Sequence, residues 1–361
     1  NVVYSRPCLS VMTLHVNSTD DRMRRIVAAC PSLSVPYRPP WWCFNSWINV
    51  VAMIWKERRD VKLCPELRRD TIIRPDGGEV SVDWYPADGL ADDAPVLGIL
   101  HTITGSSCQQ SGFMRYATSR GWRCCVLNRR GHSGMLLRVP SFSIMGNVDD
   151  TVVMVDRVKA LHPKSFLALA GLSAGSGVVV NYIGREGSEV ACDAAASLCP
   201  AWDISKSWDY LHQRYAFMDR YILEGCKNFF LRLPENQEVL QHKASNVKAA
   251  MLASTMNEFT TAIIPFTGAS DMDEYQRQNN PMIHAFGNKT PCLILNALDD
   301  FLCVKENIRF DLIESVKDYL LIVTRAGSHI AYTESGPCGN YMWRITMDFF
   351  ETVRADREDC N

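Results

Sequence analysis

Apolar positions along this chain follow two rhythms, and the change between them locates most of its elements. Short unbroken apolar runs occupy residues 95–100, 124–127 and 166–170, each bounded by turn residues, and two more fit at 291–295 and 319–323. Runs of that length suit strands of a sheet buried on both faces. Between them, residues 149–161 space Val152, Val155, Val158 and Leu161 among polar residues at helical intervals. Residues 109–120 read as a shorter helix and 340–353 as a closing one. Strand and helix in alternation predict an α/β fold, a parallel sheet with crossover helices. Ahead of it, Thr71-Ile72-Ile73-Arg74 and residues 79–85, joined by the turn Pro75-Asp76-Gly77-Gly78, predict an antiparallel hairpin.

Three stretches stand outside this alternation. Residues 1–33 read as an arm with a short helix near 20–29. Pro36-Tyr37-Arg38-Pro39-Pro40-Trp41-Trp42 forbids regular helix, and its indoles need a surface to cover, so it reads as a structural strap across the core. Residues 201–283 are helix-rich and lack an apolar strand run. Helices inserted between strands of a parallel sheet form a cap over its carboxyl edge, where ligands bind. The expected organisation is an N-terminal arm and strap over 1–68, an α/β core from 69–200 and 284–361, and a helical cap over 201–283.

The chemistry is carried by Gly171-Leu172-Ser173-Ala174-Gly175, which directly follows one predicted strand and precedes the helix-like Ser176-Gly177-Val178-Val179-Val180. A G-x-S-x-G sequence between strand and helix is a nucleophile elbow: the serine sits in a strained turn, and the flanking glycines remove side chains that would clash. A serine hydroxyl needs a base, and the base needs an orienting acid. In this architecture both follow the serine in the chain. His212, His242 and His284 fall in or at the end of the expected cap, whereas His329 follows the last predicted strand and is the candidate base. Leu298-Asp299-Asp300-Phe301 follows the preceding strand; Asp300 is preferred over Asp299 as the acid. The oxyanion hole is expected from the N–H of Ala174 and one from the loop after residue 100, Ile103 in preference to Thr102. His101 precedes the serine and reads as structural. Cap aromatics, among them Trp202, Trp208, Tyr210, Tyr215, Phe217 and Tyr221, are candidates for an acyl channel or for packing of cap on core.

Composition narrows the partners. Lys plus Arg number 38 against 40 Asp plus Glu, a net charge of −2, which excludes a protein that lives by binding nucleic acid. The 14 cysteines are scattered without a C-x-x-C pair, so no metal site is expected, and buried free thiols are favoured over a disulfide framework. No window reaches the ~18 consecutive apolar residues of a membrane span, since the run from Ile48 to Trp55 ends in Lys56-Glu57-Arg58-Arg59-Asp60.

With these residues in view, the chain resembles the alpha/beta-hydrolase family that includes the bacterial YheT-like proteins, the plant embryogenesis-associated hydrolases and the animal ABHD lipid esterases. The likeness runs from about Cys30 to Phe350. It includes the strap, the hairpin, Leu127-Asn128-Arg129-Arg130-Gly131-His132-Ser133-Gly134, Asn181-Tyr182-Ile183-Gly184, Met272-Asp273-Glu274-Tyr275 and Asn296-Ala297-Leu298-Asp299-Asp300. Departures fall at Thr102, where the family carries glycine, at Ser176 after the elbow, and at Phe301 in place of proline. The resemblance implies a Ser173, Asp300, His329 triad without cofactor, acting on esters of medium or long acyl chains such as acylglycerols and phospholipids. It also implies either a cytoplasmic protein or one held at a membrane by a segment ahead of the strap; the chain starts at Asn1, not Met. Two alternatives stay open: transfer of the acyl group to an alcohol, and a non-catalytic lipid-binding or partner-binding role.

Overall fold

The computed structural model describes residues 12–86 and 89–359. Among these residues nine strands form one sheet: β1 (Met12–Val16), β2 (Arg68–Ile73), β3 (Glu79–Tyr85), β4 (Val96–Leu100), β5 (Arg123–Asn128), β6 (Leu167–Leu172), β7 (Ala194–Leu198), β8 (Cys292–Ala297) and β9 (Tyr319–Thr324). Their order is β1-β9-β8-β7-β6-β4-β5-β3-β2. The six strands from β5 to β9 run parallel, while β1 against β9, β3 against β5 and β2 against β3 are antiparallel. The predicted hairpin is β2–β3, with register Arg69 opposite Asp83.

Alternate residues of the apolar runs face opposite sides, as a pleated strand requires. Leu97, Ile99, Cys124, Val126, Ala168 and Ala170 enter one core with the helices α1 (Asp21–Ala29), α3 (Ser111–Thr118) and α13 (Tyr341–Asp359). Val96, Leu100, Cys125, Leu127, Leu167 and Leu169 enter the other, with α4 (Val148–Leu161), α5 (Ala174–Glu186) and α12 (Phe310–Ser315). Both faces are covered, which is why these strands read as continuous apolar runs.

Between β7 and β8 the chain forms α6 (Ile204–Cys226), α7 (Pro234–Leu240), α8 (Ala244–Leu252), α9 (Met256–Thr267), α10 (Met272–Asn279) and α11 (Met282–Ala285). The helices α6 to α10 and the turn between α6 and α7 share a third core containing Leu211, Leu223, Phe230, Met256, Phe259 and Ile263, joined by Phe142 and Met145 from the loop after β5, while α11 packs with α5 in the second core. Phe142 stacks on Phe230 at 4.7 Å and on Phe266 at 5.5 Å. This cluster also takes in α2 (Ser46–Lys62), a helix ahead of the hairpin.

The structure corrects four expectations. The N-terminal stretch contributes β1, so residues 12–16 belong to the sheet edge and not to a loose arm. β7 is Ala-Ala-Ala-Ser-Leu, too weakly apolar to stand out from its neighbours, yet all five residues are buried. The strap is anchored by Tyr37, whose hydroxyl donates to Thr333 O at 3.0 Å and accepts from Asn49 Nδ2 at 3.1 Å, but of its two indoles Trp41 covers nothing, being 91% exposed, and Trp42 is only partly covered at 40%. Finally, Cys64 after α2 and Cys108 before α3 are joined as a disulfide, because the two segments pack with these Cα atoms 5.0 Å apart. Their 44-residue separation carries no sequence signature. Ten other cysteines among the described residues are free, nine of them buried.

Candidate active site

Three parallel strands deliver three side chains to one place at the carboxyl edge of the sheet. Ser173 ends β6 and begins α5 with φ 53° and ψ −115°, a conformation that L residues reach only when the surroundings enforce it. The enforcing contacts are backbone to backbone. A Cβ on Gly175 would lie 2.2 Å from Leu100 O, and one on Gly171 would lie 2.2 Å from Gly175 O, so both positions admit glycine alone. Ser173 N donates to Leu198 O at 3.0 Å, tying the turn to β7.

His329 lies in the loop after β9, and its Nε2 is 2.7 Å from Ser173 Oγ. Its Nδ1 is 3.0 Å from Asp300 Oδ2 in the loop after β8. The second oxygen, Asp300 Oδ1, accepts from the N–H groups of Leu302 and Cys303, each at 2.8 Å, so the carboxylate is fully engaged in a buried setting. Asp299 turns the other way: its Oδ1 accepts from Ser328 N at 2.8 Å, bracing the histidine loop. Burial pushes the Asp299 carboxyl up to about 6, with the Ser328 amide opposing that rise and the Asp300 charge adding to it. Five of the seven non-glycine residues with positive φ among the described residues, Ser173, Cys199, Ser328, Ile330 and Tyr332, surround this constellation. Strained backbone thus clusters where the side chains must be aimed.

Ala174 and Ile103 line the same cavity as Ser173 and His329, together with Thr102. Among the described residues neither the Ile103 nor the Ala174 N–H donates to a protein acceptor outside regular elements, and Ala174 opens α5, whose N-terminal amides face the site. The loop carrying Ile103 is held from behind. The buried guanidinium of Arg129 donates to His101 O at 3.2 Å and Thr102 O at 2.5 Å, and His132 Nε2 lies 3.0 Å from Ile103 O. Burial, reinforced by Arg129, holds the His101 and His132 imidazoles well below their ordinary range, His132 at about 3. His101 is therefore neutral, enclosed and structural.

The cavity has a volume of about 220 Å³. Helix α6 supplies Trp208, Met218, Tyr221 and Ile222 to its wall. Trp202 does not reach it; this indole is buried in the core beneath α5, 3.4 Å from Asn296 Oδ1. Tyr215 and Phe217 also lie outside the cavity, with their rings 5.3 Å from Trp47. Tyr210 likewise is absent from the wall and packs against Tyr215. A further part of the wall, not expected from the sequence, is Val50, Met53, Ile54 and Glu57 of α2. The signal was present in Asn45, which caps the helix by accepting from Ile48 N at 3.0 Å, and in apolar residues at 47, 50, 51 and 54. Burial in this wall pushes the Glu57 carboxyl up to about 7, with Asp60 adding to the rise.

Cys199, Asp300 and His329 place three possible ligand atoms within 4.8 Å of one another. Those atoms are already engaged: Cys199 Sγ accepts from Ile330 N at 3.4 Å, burial raises its thiol well above the ordinary range, and Asp300 and His329 bind each other. This donor set suits proton handling better than metal ligation.

Comparison with known proteins agrees with this layout. The family model described as Hydrolase_4, serine aminopeptidase S33, matches residues 92–335. The Caenorhabditis elegans protein abhd-3.2 is 27% identical over 313 residues, covering 84% of this chain and 80% of that one. Human phospholipase ABHD3 is 25% identical over 343 residues, covering 90% and 80%. The Saccharomyces cerevisiae monoacylglycerol lipase is 24% identical over 277 residues, covering 73% and 59%. Among solved structures, an acylaminoacyl peptidase superposes with a TM-score of 0.50 at 17% identity, covering 79% of this chain and 41% of its own. A 2,6-dihydroxy-pseudo-oxynicotine hydrolase also gives 0.50, at 13% identity, covering 85% and 74%. The mostly parallel sheet, its flanking helices and the inserted helices between β7 and β8 are those of an alpha/beta-hydrolase, and the chain belongs to the serine aminopeptidase S33 (Hydrolase_4) family.

Proposed function

We propose that the protein is a serine hydrolase of carboxylic esters that cleaves lipid esters of medium or long acyl chains through an acyl-enzyme. Ser173 Oγ attacks the ester carbonyl while His329 Nε2 takes its proton, and the tetrahedral oxyanion is held by the N–H groups of Ala174 and Ile103. His329 then returns the proton to the departing alcohol oxygen. Water, deprotonated by the same nitrogen, attacks the acyl carbonyl, and the acid leaves as Ser173 recovers its hydrogen. Asp300 keeps Nδ1 protonated and stabilises the imidazolium. The observation that carries this reading is the pair of contacts at 2.7 and 3.0 Å joining Ser173, His329 and Asp300 at the wall of a cavity lined largely by apolar side chains.

The chain length rests on those walls and on the relatives named phospholipase and monoacylglycerol lipase. The division into a core of 69–200 with 284–361 and a cap of 201–283 belongs to the same proposal, the cap supplying one wall and α2 the other. A fluorophosphonate probe should label Ser173 in the folded protein and lose that label in Ser173→Ala. Unchanged labelling of the variant would overturn the mechanism. A p-nitrophenyl ester series from acetate to palmitate should peak at medium chains; activity confined to acetate would overturn the substrate class.

A further inference from the structure

Large apolar side chains stand in solvent around the entrance to the cavity. On α2, Val51 is 67% and Trp55 66% exposed, one turn apart on the same face, while Ile54 and Val50 beside them line the cavity. Phe44, just ahead of this helix, is 77% exposed. On α6, Phe217 is 63% exposed and Tyr221 62% exposed, with Tyr221 also lining the cavity. Trp47 joins the two sides, its ring 5.3 Å from Phe217 and 5.2 Å from Phe301, which also lines the cavity. Isolated exposed apolar residues are ordinary; a rim of them on two helices that line one cavity is not.

The exposed charged residues next to these apolar positions on the two helices are cations. Arg58, Arg59 and Lys62 continue the Val51–Trp55 face of α2, and Arg214 and Arg220 flank Phe217 on α6; all five are exposed. Arg59 lies over the Trp55 ring at 5.8 Å. Arg58, Lys62, Arg214 and Arg220 have no carboxylate within 4.0 Å among the described residues, and the contact from Arg59 to Asp60 is 3.8 Å long. The acidic residues of the two helices are engaged or enclosed, Glu224 at the end of α6 by Lys227 and Arg232. Asp60 is buried against Arg115, Asp219 is buried against His212, Glu57 lies in the cavity wall, and Asp209 is engaged by Asn257. A chain with a net charge of −2 thus places exposed cations beside the exposed apolar residues of both helices.

We propose that this rim docks on the surface of an anionic phospholipid bilayer, placing the cavity mouth against the layer from which a lipid ester is drawn. Indole and phenol rings partition to the headgroup boundary, and neighbouring Lys and Arg side chains bind the lipid phosphates and carboxylates. A second copy of the chain fits this surface poorly, since a two-fold contact would set five cations against five cations. The proposal deepens the lipid-esterase reading, and its test does not depend on catalysis.

Co-sedimentation of the Ser173→Ala protein with vesicles reads binding alone. We expect binding to phosphatidylcholine vesicles containing phosphatidylserine, weaker binding without it, and loss of binding as salt rises. Adding Val51→Ser with Trp55→Ser should lower the partition coefficient by about tenfold or more on both vesicle types. Arg58→Glu with Arg214→Glu should lower it on anionic vesicles alone. With Ser173 restored, the Val51/Trp55 variant should hydrolyse a dissolved short-chain ester within about twofold of the parent rate, which shows that it folds. Failure of hydrolysis in the parent would sink the esterase reading and leave the vesicle result standing. Three outcomes would overturn the docking surface: no vesicle binding, binding indifferent to both pairs of substitutions, or a dimer in solution that the Val51/Trp55 substitutions dissociate.

Discussion

The elbow around Ser173 and the mouth of the same cavity are built by opposite means. At the elbow, backbone atoms approach so closely that Gly171 and Gly175 cannot carry a side chain, the serine is held at positive φ, and hydrogen bonds fix the acid and base. At the mouth, rings from α2 and α6 meet at 5.3 Å with large exposed faces, and nothing in their contacts demands a particular residue. The difference follows from what each must do. Bond making needs reacting groups aimed within a fraction of an ångström, whereas contact with a hydrocarbon or headgroup layer needs only apolar area and the right charge.

Substitutions can break this contrast or sharpen it. The largest effect is expected at the acid: Asp300→Asn should lower kcat by about 10⁴-fold, because the amide cannot stabilise the imidazolium or hold the productive tautomer. Asp299→Asn, whose carboxylate braces the backbone of the histidine loop and does not meet the imidazole, should cost about tenfold or less in steady-state assays of the same ester. Equal losses at the two positions would contradict the assignment. Next comes Gly175→Ala, whose methyl would press on Leu100 O; chemical denaturation should show a loss of about 1–3 kcal/mol together with a fall in kcat. Trp55→Ser at the mouth should stay within about 0.5 kcal/mol of the parent in the same experiment.

The smallest effect belongs to Glu57, where the two regions meet. Its folded-state pKa of about 7 is raised above the ordinary glutamate value, so the neutral form is favoured by folding. The resulting stability is fully present below about 4.5 and is lost as pH rises through 7. The same ionisation places a charge in a largely apolar wall, so KM for a long-chain ester should rise about two- to threefold between pH 6 and 8. Glu57→Gln should abolish that rise and gain stability relative to the parent at pH 8. A KM that climbs equally in the variant would show that another group titrates.

What was legible in the sequence tracks the same contrast. Gly171, Ser173 and Gly175, the loop position of His329, and the paired Asp299 and Asp300 are visible because their identities are forced by geometry and their order by the sheet. The strands buried on both faces were visible as apolar runs. β7 was not, since alanine and serine carry little hydrophobic signal and its burial is imposed by β6 and β8 on either side. β1 was missed because pairing with β9 across more than 300 residues leaves no local trace. The α2 wall was hidden behind its own apolarity: the run from Ile48 to Trp55 raised the question of a membrane span, and no described helix is long and apolar enough for one. Trp202 and Trp208 have the same side chain six residues apart, and only the path of the chain into α6 sends one to the core and the other to the cavity.

The buried cysteines give the molecule a set of internal timekeepers. Burial raises the thiols of Cys124, Cys226, Cys199 and Cys303, the first two to about 12, so none presents a thiolate to a reagent while its surroundings stay closed. Cys124 reports on the sheet, Cys199 and Cys303 on the floor beside the triad, and Cys226 on the inserted helices. The order in which these thiols become reactive records the order in which the layers part, with no foreign probe introduced.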